Sequence, residues 1–137
     1  MLNKTMFVGR ATAETTPGWN NWAIISISEP DSAFGEAKLL DGWHALHRSE
    51  FHDIEVEMLY EPNVLMTPQH ALEIVSFVNA IAPNVEGIMV HCKAGISRSA
   101  AVAKWIATAY KLQFNHEYSY YNKHVYNMLT EANKLRK

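Results

Sequence analysis

The chain has one cysteine, Cys92, in 137 residues, and that scarcity excludes a good deal. No intramolecular disulfide can form, no zinc site of several cysteines can be built, and a lone thiol points to a reducing compartment. An excess of charge of one sign is lacking too. Twelve Lys and Arg stand against 14 Asp and Glu, a net charge of −2 with the seven histidines neutral. That balance gives no bulk attraction for nucleic acid or for an anionic membrane. No apolar stretch reaches transmembrane length and none reads as a signal peptide, so a cytoplasmic protein without a membrane partner is expected. Repeats, low-complexity segments and dividing linkers are also missing. The length then gives one domain over 1–137, with 48% hydrophobic residues to build its core.

What is present alternates strands with helices. Met6 to Gly9, Trp22 to Ile27 and Gly87 to His91 read as strands, with a fourth around Trp43 to Leu46; Pro17-Gly18 and Glu29-Pro30-Asp31 supply breaks. Thr67-Pro68 has the form of an N-cap followed by proline at the first helical position. Leu72, Val75, Phe77, Val78 and Ile81 would give that helix its buried face before Pro83 stops it. Two further helices are expected, Ser99 to Leu112 packing through Val102, Ile106 and Ala109, and about Tyr118 to Lys134 packing through Val125, Leu129 and Ala132. The fold class is therefore α/β, a three-layer sandwich with a short, mostly parallel central sheet flanked by helices.

Chemistry concentrates in His91-Cys92-Lys93-Ala94-Gly95-Ile96-Ser97-Arg98-Ser99. A short apolar strand precedes this run and a helical pattern follows it. The run is thus a loop from a strand's C-terminal end to a helix N-terminus, where such sheets bind ligands. The amide N–H groups of Lys93, Ala94, Gly95, Ile96, Ser97 and Arg98 can turn inward there and hold a tetrahedral oxyanion, aided by the helix dipole. Gly95 permits the tight backbone path. The same surroundings favour the thiolate of Cys92, the attacking species. Arg98 offers a planar fork that can hold two phosphoryl oxygens, and Ser99 can direct its hydroxyl at the sulfur. His91 is a supporting residue rather than a catalytic one.

His91 to Ser99 resembles the signature loop of cysteine-dependent protein tyrosine phosphatases, most closely the compact dual-specificity type of microbes and phages. Trp22 to Ile27 resembles that family's early core strand, Phe51-His52-Asp53-Ile54-Glu55 its general-acid loop, and Thr67 to Phe77 the helix before the loop's strand. Tyr121-Asn122-Lys123-His124-Val125-Tyr126 resembles a C-terminal segment that usually reads Pro-Asn; here Tyr121 replaces the proline, and the stretch from Leu112 to Tyr121 looks shortened. The likeness covers roughly residues 22 to 130.

Departure of an alkoxide or phenolate needs a proton that a thiolate cannot supply, and Asp53 is the expected donor, with Asp31, Asp41 and Glu55 as alternatives. The reading is a phosphatase that hydrolyses phosphomonoesters through a cysteinyl phosphate, with neither metal nor other cofactor. Its partner is a phosphorylated protein substrate, phosphotyrosine above all. A phosphoinositide or other non-protein phosphomonoesterase is the first rival, and a non-catalytic phosphate-binding module the second. An arsenate reductase or sulfurtransferase on a similar loop is a third, for which the single cysteine and the acid loop are difficulties. His44, His47 and His52 with Asp41 and Asp53 match no zinc spacing. Trp19, Trp22 and Trp105 read as packing, and Tyr118-Ser119-Tyr120-Tyr121 as the start of an amphipathic helix.

Overall fold

The computed structural model describes residues 1–56 and 63–135. Four strands, β1 (Lys4–Gly9), β2 (Trp22–Ser28), β3 (Ala45–Glu50) and β4 (Gly87–Cys92), form one sheet in the order β1-β4-β2-β3. All three pairings are parallel. The two central strands are those whose sequences run apolar without alternation, since both of their faces are covered. The fourth strand lies at Ala45–Glu50, later than the expected Trp43 to Leu46. Its polar half, His47-Arg48-Ser49-Glu50, carries no strand signal of its own. Edge position and register on β2, Ala45 opposite Ala23 through Glu50 opposite Ser28, decide it instead.

One face of the sheet carries the main core. Helices α2 (Pro68–Ile81), α3 (Arg98–Tyr110) and α4 (Lys123–Leu135) cover it, packing on Ile25, Ile27, Ile88 and Val90. The opposite face carries a thinner layer in which the short helix α1 (Arg10–Thr15) buries Ala13 against Ile24 and Met89. Helix α1 has no amphipathic signal in sequence. It is anchored from outside, the Arg10 guanidinium donating to the carbonyls of Gly35 and Glu36 and pairing with Glu14. Together these are the three layers expected. No helix among the described residues is long and apolar enough to cross a membrane.

Thr67 caps α2 as expected, accepting the His70 N–H on its hydroxyl at 3.2 Å while His70 Nδ1 accepts the Thr67 N–H at 3.0 Å, a capping box with histidine in the usual Glu or Gln place. The buried stripe is Ala71, Ile74, Val75 and Val78. Leu72, expected inside, is exposed, because it sits about 100° round the helix from Ala71. Ala109 of α3 is likewise exposed rather than packed. Helix α4 turns Val125, Leu129 and Ala132 inward as expected, but begins at Lys123, not near Tyr118. Asn122 sets that start: its Oδ1 accepts the Val125 N–H at 2.9 Å, the N-cap bond.

Candidate active site

β4 and α3 are joined by residues 93–97, so Cys92 closes a central strand and Arg98 opens a helix. The loop's conformation follows from where its carbonyls go. Lys93 O accepts the Arg10 N–H at 3.2 Å, Ile96 O the Tyr118 hydroxyl at 2.5 Å, and Ser97 O the N–H groups of Asn122 and Ala101 at 3.1 and 3.0 Å. With carbonyls drawn outward, the N–H groups of Ala94, Gly95, Ile96 and Ser97 have no protein acceptor among the described residues. Backbone donors left unpaired in a concave turn form an anion-binding nest. Gly95 is at φ +74°, and a Cβ there would lie 2.3 Å from Gly9 N, so the turn packs directly on the end of β1.

Cys92 is buried at the base of this loop, its sulfur 3.2 Å from Ser99 Oγ and 3.4 Å from Ser99 N. A neutral thiol donates to that hydroxyl; in the thiolate the direction reverses and both Ser99 groups donate to sulfur. Arg98 is buried and donates from Nη1 to Phe51 O at 2.8 Å, while Nη2 lies 3.6 Å from a carboxylate oxygen of Glu29. Its Nε is buried and has no partner among the described residues. A buried charged donor without an acceptor is costly unless a ligand completes it.

Asp53 is carried by the segment after β3 and reaches this loop. Its Oδ1 accepts the Ser97 hydroxyl at 2.7 Å and Asn122 Nδ2 at 2.9 Å. Oδ2 accepts no hydrogen bond among the described residues, so it is the oxygen open to a proton. The alternatives fall elsewhere. Asp31 accepts His52 Nε2–H, which holds its carboxyl below the usual carboxylate range, Glu55 accepts the Lys123 N–H at the start of α4, and Asp41 lies near Gly18, whose N–H its carbonyl accepts.

His91 points to the opposite sheet face, its Nε2 2.6 Å from Ser26 Oγ. Its pKa is pushed down to about 4, chiefly by burial and in smaller part by the Arg10 and Arg48 cations. Arg48 Nη1 donates to Ser26 Oγ at 3.4 Å, which leaves that hydroxyl to donate to Nε2 and the proton of neutral His91 on Nδ1, 3.5 Å from the Cys92 carbonyl.

Three residues of the site carried no such signal in sequence. Asn122 ties Asp53, the Ile54 carbonyl and the Ser97 carbonyl to the cap of α4. Glu29, read only as part of a break, pairs with Arg98. Tyr118, read as a helix start, lies outside α4 and braces the loop through Ile96 O; its phenol is raised by burial and by the Cys92 and Tyr120 charges, which keeps it a donor. Asn122 had one available clue, the resemblance of its segment to Pro-Asn.

The histidines do not assemble as a group: His47 packs on Phe77 and His44 is exposed. A different trio, Glu29, Asp31 and His52, comes close enough together to face one ion. Val64 N–H donates to His52 Nδ1 at 2.7 Å, which fixes the neutral ring's proton on Nε2, facing Asp31. An ion at Nε2 would have to displace that proton, so the trio fits a hydrogen-bonded network better than a metal. Trp19 and Trp22 stack edge to face at the other ends of the strands, Trp22 covering Gly87, and Trp105 is buried in the main core.

A family model for the dual specificity phosphatase catalytic domain matches residues 26–136. The chain belongs to that family. Among solved structures, this dual specificity phosphatase domain is similar to the human tyrosine phosphatase-like serine/threonine/tyrosine-interacting protein, at a TM-score of 0.63 and 15% identity over 96% of this chain and 92% of that one. It is similar to human DUSP28 at a TM-score of 0.62, with the same identity and coverage. At that identity the two likenesses concern the fold. They do not single out the microbial and phage type that the sequence suggested. No curated protein sequence matches the chain.

Proposed function

We propose that this domain is a metal-independent phosphatase that hydrolyses phosphomonoesters, phosphotyrosine in proteins above all, through a cysteinyl-phosphate intermediate. The observation that carries the reading is Asp53 held at 2.7 Å on Ser97, a residue 44 positions away in the loop that begins at the only thiol. An anion nest alone needs no carboxylate beside it. A nucleophile facing a departing oxygen does.

In this reading the Cys92 thiolate attacks phosphorus as the P–O bond to the substrate breaks, and the Asp53 proton passes to the departing oxygen. Water then attacks the phosphocysteine, gives its proton to Asp53, and the S–P bond breaks to release inorganic phosphate and the thiolate. Ser99 stabilises that thiolate as leaving group. The loop amides from Lys93 to Ser97 bind the phosphoryl oxygens, and Arg98 holds two of them through its fork. His91 acts from behind, through the Cys92 carbonyl.

A protein substrate is supported by the rim. Ile96, Phe34 and Tyr120 are exposed, and a cleft of about 540 Å³ borders Lys93 with Phe34 on its wall. Lys93 is the only lysine in the loop, and Ile96 is neutral where a second cation would serve a polyphosphorylated head group. The fold is shared with a protein named only phosphatase-like, so the fold does not separate an enzyme from a binding module; Cys92, Arg98, Ser99 and Asp53 together favour the enzyme. A lone reactive thiol fits a cytoplasmic setting.

Rates on phosphotyrosine peptide, phosphothreonine peptide and phosphoinositide, measured in one buffer with chelator present, test the reading. Fastest turnover on phosphotyrosine peptide is expected. Preference for phosphoinositide would move the substrate class, and no turnover of any of them would leave the binding module.

A further inference from the structure

Asp53 is held at two levels, and the second is not part of the phosphate site. Ser97 and Asn122 hold its carboxylate. Its backbone is held by His52. The Ile54 N–H donates to the His52 carbonyl at 3.0 Å, which places Asp53 at the centre of a three-residue turn. The His52 N–H donates to the Val64 carbonyl at 2.8 Å, and the Val64 N–H returns to His52 Nδ1 at 2.7 Å. Residues 52 and 64 are thereby joined by a reciprocal pair beside Asp53. On the far side His52 Nε2–H donates to Asp31 Oδ1 at 2.8 Å. The ring is buried while Asp31 is exposed, so the carboxylate orients the ring from the solvent side.

Resting on the assignment of Asp53 as general acid, we infer that His52, oriented by Asp31, is the positioning residue that fixes the acid turn over the phosphate loop. The ring works through its neutral form with Nδ1 as acceptor, because a proton on Nδ1 would face the Val64 N–H. Glu29, Asp31 and, through Glu29, Arg98 are the charged groups that surround it. Because the contribution runs through Asp53 alone, it affects only the two steps in which Asp53 moves a proton, and of these only the first depends on the leaving group.

The test uses the whole chain and two aryl phosphates, one with phenol and one with a very acidic phenol as leaving group. His52→Ala should lose about 10- to 100-fold in kcat/KM on phenyl phosphate, the scale of a misplaced catalytic group, with little loss of kcat/KM on the acidic phenol, whose departure needs no proton. Added to Asp53→Asn it should cost nothing further. His52→Asn, whose Oδ1 can take the place of Nδ1 and accept the Val64 N–H, should recover most of the rate. Equal losses on both substrates, a loss that multiplies that of Asp53→Asn, or no recovery in His52→Asn would overturn the inference. Should His52→Ala fail to fold, the exposed Asp31→Ala decides: a loss of about threefold confined to phenyl phosphate supports it, and wild-type behaviour overturns it. If Asp53→Asn itself shows no dependence on the leaving group, the acid assignment fails. If Asp53→Asn behaves and the His52 variants do not, only the present inference fails.

Discussion

Loop 92–99 is held by backbone: a central strand feeds it, a helix receives it, and its outward carbonyls are bonded by Arg10, Tyr118 and Asn122. The segment 51–56 is held largely by side chains that arrive from elsewhere, with Asp31 on His52, Ser97 and Asn122 on Asp53, and the Arg98 guanidinium on the Phe51 carbonyl. A loop built from strand end, glycine and helix start writes its conformation into local sequence. One built from distant side chains does not. The same contrast separates their expected failures under the proposed mechanism, since losses in the first loop should be blind to the leaving group while losses in the second should follow it in the first step.

The largest effect belongs to Cys92→Ser, which replaces the thiolate by a poorly activated hydroxyl while the amide nest and Arg98 remain. Turnover should fall by on the order of 10⁴ or more, and binding of an unreactive oxyanion, followed by calorimetry, should persist. Arg98→Lys comes next, because a point charge cannot replace the fork. A loss of about 10³ to 10⁵ is expected, equal for good and poor leaving groups in steady-state assays.

Asp53→Asn should break that equality. On phenyl phosphate it should lose about 10² to 10⁴ in kcat/KM, and with a very acidic phenol that loss should shrink, although kcat falls with both because the attack of water loses its base. Asn122 sharpens the comparison further. Asn122→Asp keeps the oxygen that caps α4 but removes the buried donor to Asp53 and the Ile54 carbonyl and sets a carboxylate against both, so unfolding stability should fall and the phenyl phosphate rate drop about tenfold or more. Asn122→Ala should also cost about 1 kcal/mol of stability through the lost cap, measured by urea unfolding.

The smallest effect on rate, at neutral pH, comes from His91, whose influence is on stability. Its pKa falls from 6.5 to about 4 on folding, so the native state favours the neutral ring. Stability from this group is fully present above about pH 6.5 and is lost as pH falls toward 4, by about 3 kcal/mol in all. Urea unfolding between pH 7 and pH 4 should show that slope, and His91→Asn should flatten it.

The contrast also explains what was legible in the sequence. The parallel sheet, the strand before Cys92, the Thr67 cap and the helix after the loop all follow from local patterns, and all are present. Asp53 was reached through the resemblance of its segment, and the structure brings it to the loop by way of Ser97. Asn122, Glu29 and Tyr118 were missed because each acts through a partner at least 22 positions away, and apart from the resemblance of the Asn122 segment nothing local marks such a bond. Leu72 and Ala109 were misplaced for a related reason: their helices are apolar on more than one side, and only the neighbours decide which side is inside. The edge strand at Ala45–Glu50 was displaced because pairing to β2, not its own residues, makes it a strand.

The covalent cysteine is the centre of this account, and Asp53→Asn offers the means to see it. With an aryl phosphate of a very acidic phenol the first step proceeds without the acid, while the attack of water loses its base, so the intermediate should accumulate. Rapid acid quenching of that variant during turnover, followed by peptide mass spectrometry, should find phosphate on Cys92 in an amount approaching one per chain. Turnover with phosphate on another residue, or with none on Cys92, would contradict it.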